Sequence, residues 1–265
     1  MSEKRIAISV RDLVKNFDNR LVLDGVSLDI YQGETFVIMG GSGCGKSTLL
    51  RHMSGGIKPD SGQVFFMGQD LGTLNEREQE KIKRRFGMCF QSAALIDYLN
   101  VADNVALPLK EHTKLDPKII NIIVKMKLNL VGLQGYEDLM PSMLSGGMKK
   151  RVGLARAIAM DPEVVFYDEP SAGLDPVVAA VVDQLIMDLS KKLLLTSVVV
   201  THDMGSVFRI ADRIAMLHEG RILQVGSPQE IRESQNAIVQ QFINGQIDGP
   251  INYLKRTQKE VSHSS

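Results

Sequence analysis

Residues 35–48 read Thr35-Phe36-Val37-Ile38-Met39-Gly40-Gly41-Ser42-Gly43-Cys44-Gly45-Lys46-Ser47-Thr48, and the rest of the chain is read outward from them. Thr35 to Met39 is a continuous apolar run of the kind that forms a strand buried on both faces of a parallel sheet. Gly40 to Ser47 then match G-x-x-x-x-G-K-[ST], and Leu49, Leu50 and Met53 give the next segment a helical face that stops at Gly55-Gly56. Glycines let the backbone curl so that successive N–H groups point at phosphate oxygens, and a helix starting near Lys46 adds its positive dipole end. Lys46 offers a point charge to β- and γ-phosphates, and the Ser47 hydroxyl is a hard oxygen suited to Mg²⁺.

Composition bounds the alternatives. The chain has 265 residues, with 31 Lys and Arg balanced by 31 Asp and Glu. That length fits one large domain, or a domain with a subdomain and a tail. With 44% hydrophobic residues the chain can bury a full core, which excludes wholesale disorder. Charge neutrality argues against a protein held by bulk charge on nucleic acid or on an anionic membrane, and the absence of Trp removes one base-stacking platform. Cys44 and Cys89 are too few for a disulfide framework and read as reduced, cytosolic thiols. Cys44 reads as a small loop filler, with redox sensitivity as the alternative near a helix N-terminus; Cys89 reads as core. The most apolar stretch, Leu193 to Val200, is far short of the roughly 20 residues that span a bilayer, and Ile6 to Val10 is too short for a signal peptide. Any attachment to a membrane is therefore expected through another component.

Ile6 to Val14 and Val22 to Ile30 read as strands, and Glu76 to Arg85 as a charged, solvated helix. Ile119, Ile122, Ile123, Met126 and Leu130 recur with helical period, which predicts an amphipathic helix over 117–131. A further helix is expected from Gly146 to Ala159, with Met148, Val152, Ala155 and Ile158 inward. No strong strand falls between Gln91 and Met160, so this stretch reads as a helical subdomain inserted in an α/β core. Strands return at Val164–Tyr167, Ser197–Thr201 and Ile214–Leu217, with Val178, Val181, Val182, Leu185 and Leu189 on one face of the helix between the first two. Such alternation means parallel pairing with right-handed crossovers.

Val164-Val165-Phe166-Tyr167-Asp168-Glu169 is a buried strand ending in two carboxylates, at the sheet edge where ligands of such folds bind. Asp168 is suited to hold Mg²⁺ through water, and Glu169 to act as general base on an attacking water. Ser145 followed by Gly146 and Gly147 at a helix start is a second anion-binding terminus.

Together these residues resemble the ATP-binding cassette (ABC) ATPases. Leu144-Ser145-Gly146-Gly147-Met148 is similar to the signature motif of that family. Gln91 resembles the Q-loop residue, Ser171-Ala172-Gly173-Leu174-Asp175 the D-loop, His202 the switch histidine, and Phe17 the aromatic that stacks on adenine. The resemblance covers about residues 5 to 240. It implies an α/β fold of the P-loop NTPase, ABC ATPase type: a mainly parallel sheet core, an antiparallel β subdomain and an inserted helical subdomain. The corresponding division is an ABC ATPase domain at 1–240, with the helical part at about 92–160, and a C-terminal tail at 241–265. The cofactors implied are ATP and Mg²⁺. Phe17, Gly40, Gly41, Ser42, Gly43, Cys44, Gly45, Lys46, Ser47 and Thr48 would hold ATP, joined by Ser145, Gly146, Gly147 and Asp175. Ser47, Gln91 and Asp168 would hold the metal, and Glu169, His202 and Gln91 would serve catalysis. In this family the signature motif serves the nucleotide of a second subunit, so a head-to-tail homodimer that sandwiches ATP is expected. Two departures stand out: Met148 replaces the usual Gln, and a thioether cannot donate the hydrogen bond of an amide; Gly41 stands where Pro is frequent.

Asn100 to Thr113, Met126-Lys127-Leu128, Val131-Gly132-Leu133 and Leu139 to Ser142 resemble the ATPases of Mla-type phospholipid transporters. That resemblance implies phospholipid movement between inner and outer membranes. It also implies an inner-membrane permease, an MCE-domain lipid-binding protein and a STAS-domain regulator as partners, no nucleic acid, and a place on the cytoplasmic face of the bacterial inner membrane. An ABC importer ATPase for another solute, or a soluble ABC ATPase, are the alternatives. Ala93, Ala94, Leu95, Ile96, Tyr98 and Leu99 read equally as a permease-facing groove or as subdomain core. Phe242, Ile243, Ile247, Ile251, Tyr253 and Leu254 have no evident home in the cassette and are expected to dock on a partner.

Overall fold

The structure, a computed structural model, describes residues 5–18 and 20–251. Its framework is a six-stranded sheet in the order β10-β9-β3-β8-β7-β6. The strands are β3 (Thr35–Met39), β6 (Phe86–Cys89), β7 (Val164–Asp168), β8 (Thr196–Thr201), β9 (Arg213–His218) and β10 (Arg221–Gly226). All neighbours pair in parallel except β9 and β10, which form an antiparallel hairpin at the edge. A second, antiparallel sheet carries β2 (Arg20–Tyr31), β1 (Ile6–Phe17), β4 (Ser61–Phe66) and the short β5 (Gln69–Asp70) in that order.

The alternation along β3 builds two cores. Phe36 and Ile38 point to one face, where Val164, Phe166, Val198 and Val200 join Ile8, Leu23, Ile30 and Phe66 of the antiparallel sheet. Val37 and Met39 point to the other, packing with Val165, Tyr167, Val199 and Met216 against the helical layer. Being covered on both sides, β3 has no exposed residue, which is why its sequence is apolar without alternation. Each such Val, Ile or Phe contributes roughly 1.5–3 kcal/mol by leaving water.

Helix α1 (Lys46–Met53) follows β3, and the charged α2 (Glu76–Lys83) buries only Ile82. The inserted subdomain consists of α3 (Val101–His112), α4 (Pro117–Leu130) and α5 (Gly146–Ala157), packed on one another. It contains no strand, as the sequence predicts. Helix α3 was not evident from periodicity because Pro108 interrupts its interior. Its anchor is Asn104, fully buried: Oδ1 accepts from the Ile96 N–H at 2.8 Å, and Nδ2 donates to the carbonyls of Ile96, Leu99 and Asn100. The remaining helices are α6 (Pro176–Leu193), α7 (Met204–Ile210), α8 (Pro228–Arg232) and α9 (Ala237–Asn244). Among the described residues no helix is long and apolar enough to cross a membrane.

Three expectations about faces are corrected. Helix α4 buries Ile120, Val124, Lys127 and Leu128, whereas Ile119, Ile122 and Met126 of the predicted stripe are 46, 59 and 62% exposed. Apolar residues fall on more than one side of this helix, Ile119 and Ile120 being neighbours, so the period alone does not select a face. The Lys127 stem lies in the core because its ammonium reaches Asp161 at the surface. On α6, Val181 is 52% exposed and Val178 and Leu185 are half-buried, while Ala179, Val182, Ile186 and Leu189 face inward. Of the C-terminal apolar residues, Phe242, Ile243 and Ile251 do have homes in the cassette. Phe242 and Ile243 pack on the helical-side core, and Ile251 is buried beside Gln241, whose amide receives the Ile251 N–H at 2.7 Å and donates to its carbonyl at 3.0 Å. Ile247 is exposed; Tyr253 and Leu254 lie outside the described residues.

Candidate functional site

Strands β3, β8 and β7 are neighbours running the same way, so their C-terminal ends fall along one edge. The glycine loop, His202 and Glu169 leave those three ends in turn. The loop needs its glycines for space: a Cβ on Gly40 would lie 2.2 Å from the Leu217 carbonyl oxygen, and Gly45, at φ 106°, would press a Cβ 2.9 Å from the Val22 carbonyl. Cys44 is buried behind the loop, as a filler would be.

Lys46, at the first position of α1, is buried and donates from Nζ to the carbonyls of Gly40 at 2.8 Å and Gly41 at 3.1 Å; Glu169 Oε1 lies 3.9 Å away. The first N–H groups of a helix have no intrahelical acceptors, so the ammonium and the start of α1 form one electropositive cradle. Ser47 Oγ donates to Asp168 Oδ1 at 2.9 Å. A hydroxyl and a carboxylate so joined are hard-oxygen groups that suit Mg²⁺ when phosphate oxygens and waters complete the shell.

Glu169 follows the last residue of β7 with φ 48°, a left-handed backbone that costs a non-glycine residue roughly 1–3 kcal/mol. Its N–H donates to the Val200 carbonyl at 2.9 Å, which holds the turn. The carboxylate is thereby aimed at His202: Nδ1 stands 2.8 Å from Oε1, and the His202 N–H donates to Oε2 at 3.4 Å. The carboxylate side chain is 11% exposed and the imidazole 62%.

Lys46, Ser47, Glu169 and His202 line one cleft of about 840 Å³, together with Phe17, Gly41, Ser42, Gly43, Gly45, Thr48 and Gln91; Gly40 and Cys44 are not in its lining, and Asp168 is joined to it through Ser47. Phe17 is half-exposed at the cleft, with the Lys15 ammonium 5.3 Å above its ring. Arg20, Val22, Met204 and Phe242 also line the cleft and were not foreseen. Phe242 comes from α9, about 200 residues along the chain from the loop, and no sequence spacing signals that contact. Ser145, Gly146, Gly147 and Asp175 are outside the cleft and lie together elsewhere. Ser145 caps α5 by accepting the Met148 N–H at 3.3 Å, and Asp175 caps α6 by accepting from Val177 and Val178, both at 3.0 Å. Gly147 touches Val178, so the two helix starts form one patch. The glycine loop with the start of α1 and the Ser145–Gly147 turn with the Asp175 cap are therefore two separate sets of helix-start groups on one chain. In the loop after Gln91, Ala93 is buried under α5, which fits subdomain core, whereas Tyr98 is 80% exposed.

Residues 23–172 match the profile of the ABC transporter family. The chain belongs to the ABC transporter family. It has the α/β fold of the cassettes of that family and is an ATPase cassette. It is 42% identical over 254 residues to the intermembrane phospholipid transport system ATP-binding protein MlaF of Haemophilus influenzae, spanning 96% of each chain. It is 42% identical over 244 residues to the protein of the same name from Escherichia coli K12, spanning 92% of this chain and 91% of that one. Among solved structures, the dimeric post-hydrolysis state of the ATP-binding cassette MJ0796 bound to ADP and phosphate superposes with a TM-score of 0.76 at 30% identity. That match covers 83% of this cassette and 98% of the other chain.

Proposed function

We propose that this cassette hydrolyses ATP to drive a transporter that moves phospholipids between the inner and outer membranes. The observation that carries this reading is the end-to-end 42% identity to an intermembrane phospholipid transport ATP-binding protein, in a chain whose hydrolytic groups share one cleft. The loop from Gly40 to Gly45 and the start of α1 cradle the phosphates, with Lys46 on the β- and γ-groups and Thr48 beside them. Phe17 stacks on the adenine. Ser47, Gln91 and Asp168 would hold Mg²⁺, which would supply charge neutralisation on the phosphates. Glu169 takes a proton from the attacking water, and His202 fixes the orientation of that carboxylate.

Ser145, Gly146, Gly147 and Asp175 act on the nucleotide of a second copy, because they lie outside their own cleft; a head-to-tail dimer completes two sites. The cassette sits on the cytoplasmic face of the inner membrane through a permease, which the segment after Gln91 meets. An MCE-domain lipid carrier and a STAS-domain regulator complete the assembly. The test is to purify the full chain with its co-expressed permease, identify bound lipid, and measure phosphate release and lipid movement between vesicles. ATP-dependent lipid transfer, lost in Lys46→Ala, is expected. Hydrolysis without lipid binding or transfer would reassign the cargo, and a wild type that releases no phosphate would overturn the ATPase reading.

A further inference from the structure

Helix α5 begins at the exposed Ser145 turn and runs back beneath the loop that carries Gln91. Two of its cations are committed to that loop. Lys150 is buried, 6% exposed, and its ammonium donates to the carbonyl of Gln91 and, at 3.3 Å, to the carbonyl of Glu169. Six residues on, Arg156 forks onto the next carbonyls, Nη1 to Ala94 at 2.8 Å and Nη2 to Ala93 at 2.6 Å. Ala93 and Ala94 stand at φ 60° and 45°, a left-handed pair that is costly for a residue with a Cβ. Between the two cations Gly153 lets the helix approach the loop, since a Cβ there would lie 3.2 Å from that of Ala93.

Burial works against a cation here: desolvation lowers the Lys150 pKa, with Cys89 and Glu169 acting in the opposite direction. If the position served packing alone, an apolar side chain of similar volume would avoid that cost. An ammonium has three donors and can hold two carbonyls at once, which no apolar side chain can do. The two carbonyls belong to the residues that the functional reading assigns to the metal and to the water.

We propose that Lys150 is a positioning residue for hydrolysis, tying the backbones of Gln91 and Glu169 to α5 so that these residues and the Ser145–Gly147 face move as one body. Docking of a second copy on that face then sets the geometry of the docked chain's own cleft.

 The link runs through α5. It rests on the functional reading above.

The test uses the full chain with Lys150→Met, Lys150→Gln and Lys150→Arg, read by amide hydrogen exchange over residues 90–95 without nucleotide and by steady-state ATPase kinetics. In Lys150→Met, exchange over 90–95 is expected to rise about 10-fold, the factor for losing one charged hydrogen bond. There kcat falls about 10- to 100-fold while KM for ATP stays within about threefold. Lys150→Arg restores most of both, because a guanidinium also reaches two carbonyls. Unchanged exchange, a kcat within about twofold of wild type, or a loss that Arg does not rescue would overturn the proposal. If Lys150→Met does not fold, Lys150→Gln decides by the same criteria. A wild type without ATPase activity contradicts the functional reading instead, and leaves the exchange result to judge the tie.

Discussion

Glu169 and His202 close on each other across two neighbouring strand ends, with Nδ1 of the imidazole 2.8 Å from Oε1 of the carboxylate. The pair exists because β7 and β8 are in parallel register and because Glu169 takes a left-handed turn at φ 48°. Lys46 approaches the same oxygen to 3.9 Å, so the carboxylate stands between the imidazole and the phosphate loop.

Glu169→Gln keeps the shape of this carboxylate and removes its basicity. Phosphate release is expected to fall by about 10²–10⁴ while ATP binding stays within about threefold and the dimer persists with ATP. Turnover equal to wild type would contradict the general-base role.

Lys46→Ala removes the buried ammonium that now rests on the Gly40 and Gly41 carbonyls. Losing charged hydrogen bonds of about 1.5–3 kcal/mol weakens ATP binding roughly 10- to 100-fold. A nucleotide titration that shows wild-type affinity would remove Lys46 from the phosphate site.

Gly147→Ala would place a Cβ 2.6 Å from Val178 Cγ1. Overpacking of this kind costs about 1–3 kcal/mol, visible as a lower melting temperature. Adding Val178→Ala should recover part of the loss, since the two residues are in contact; strict additivity would show that the clash is not the cause.

Cys89 is fully buried, and desolvation pushes its thiol up from 9.0 to about 11. A raised folded pKa means that the folded state keeps its proton where the unfolded chain has lost it. The stabilisation is therefore fully present below pH 9.0 and is lost as pH rises through about 11. Across that window stability should fall by about 1.4 kcal/mol per pH unit from this group alone. Urea unfolding of wild type and Cys89→Ala at several pH values checks it: the difference between their slopes should disappear below the window.

The local pattern in the sequence determined the phosphate loop, the strand before it, the helix after it and the carboxylate-ending strand, because each rests on residues that are neighbours in the chain. Apolar β3, Gly45 and Lys46 carry their own constraints: a strand covered on both faces, a turn with positive φ, and a charge at a helix start. Tertiary structure alone decided which face of α4 is buried, since Ile119 and Ile120 are equally apolar and only packing against α3 and α5 separates them. It also decided that Phe242 reaches the cleft and that Lys150 reaches the Gln91 and Glu169 carbonyls. Those contacts join residues far apart in the chain, and no local periodicity encodes a distance that only the folded layers create.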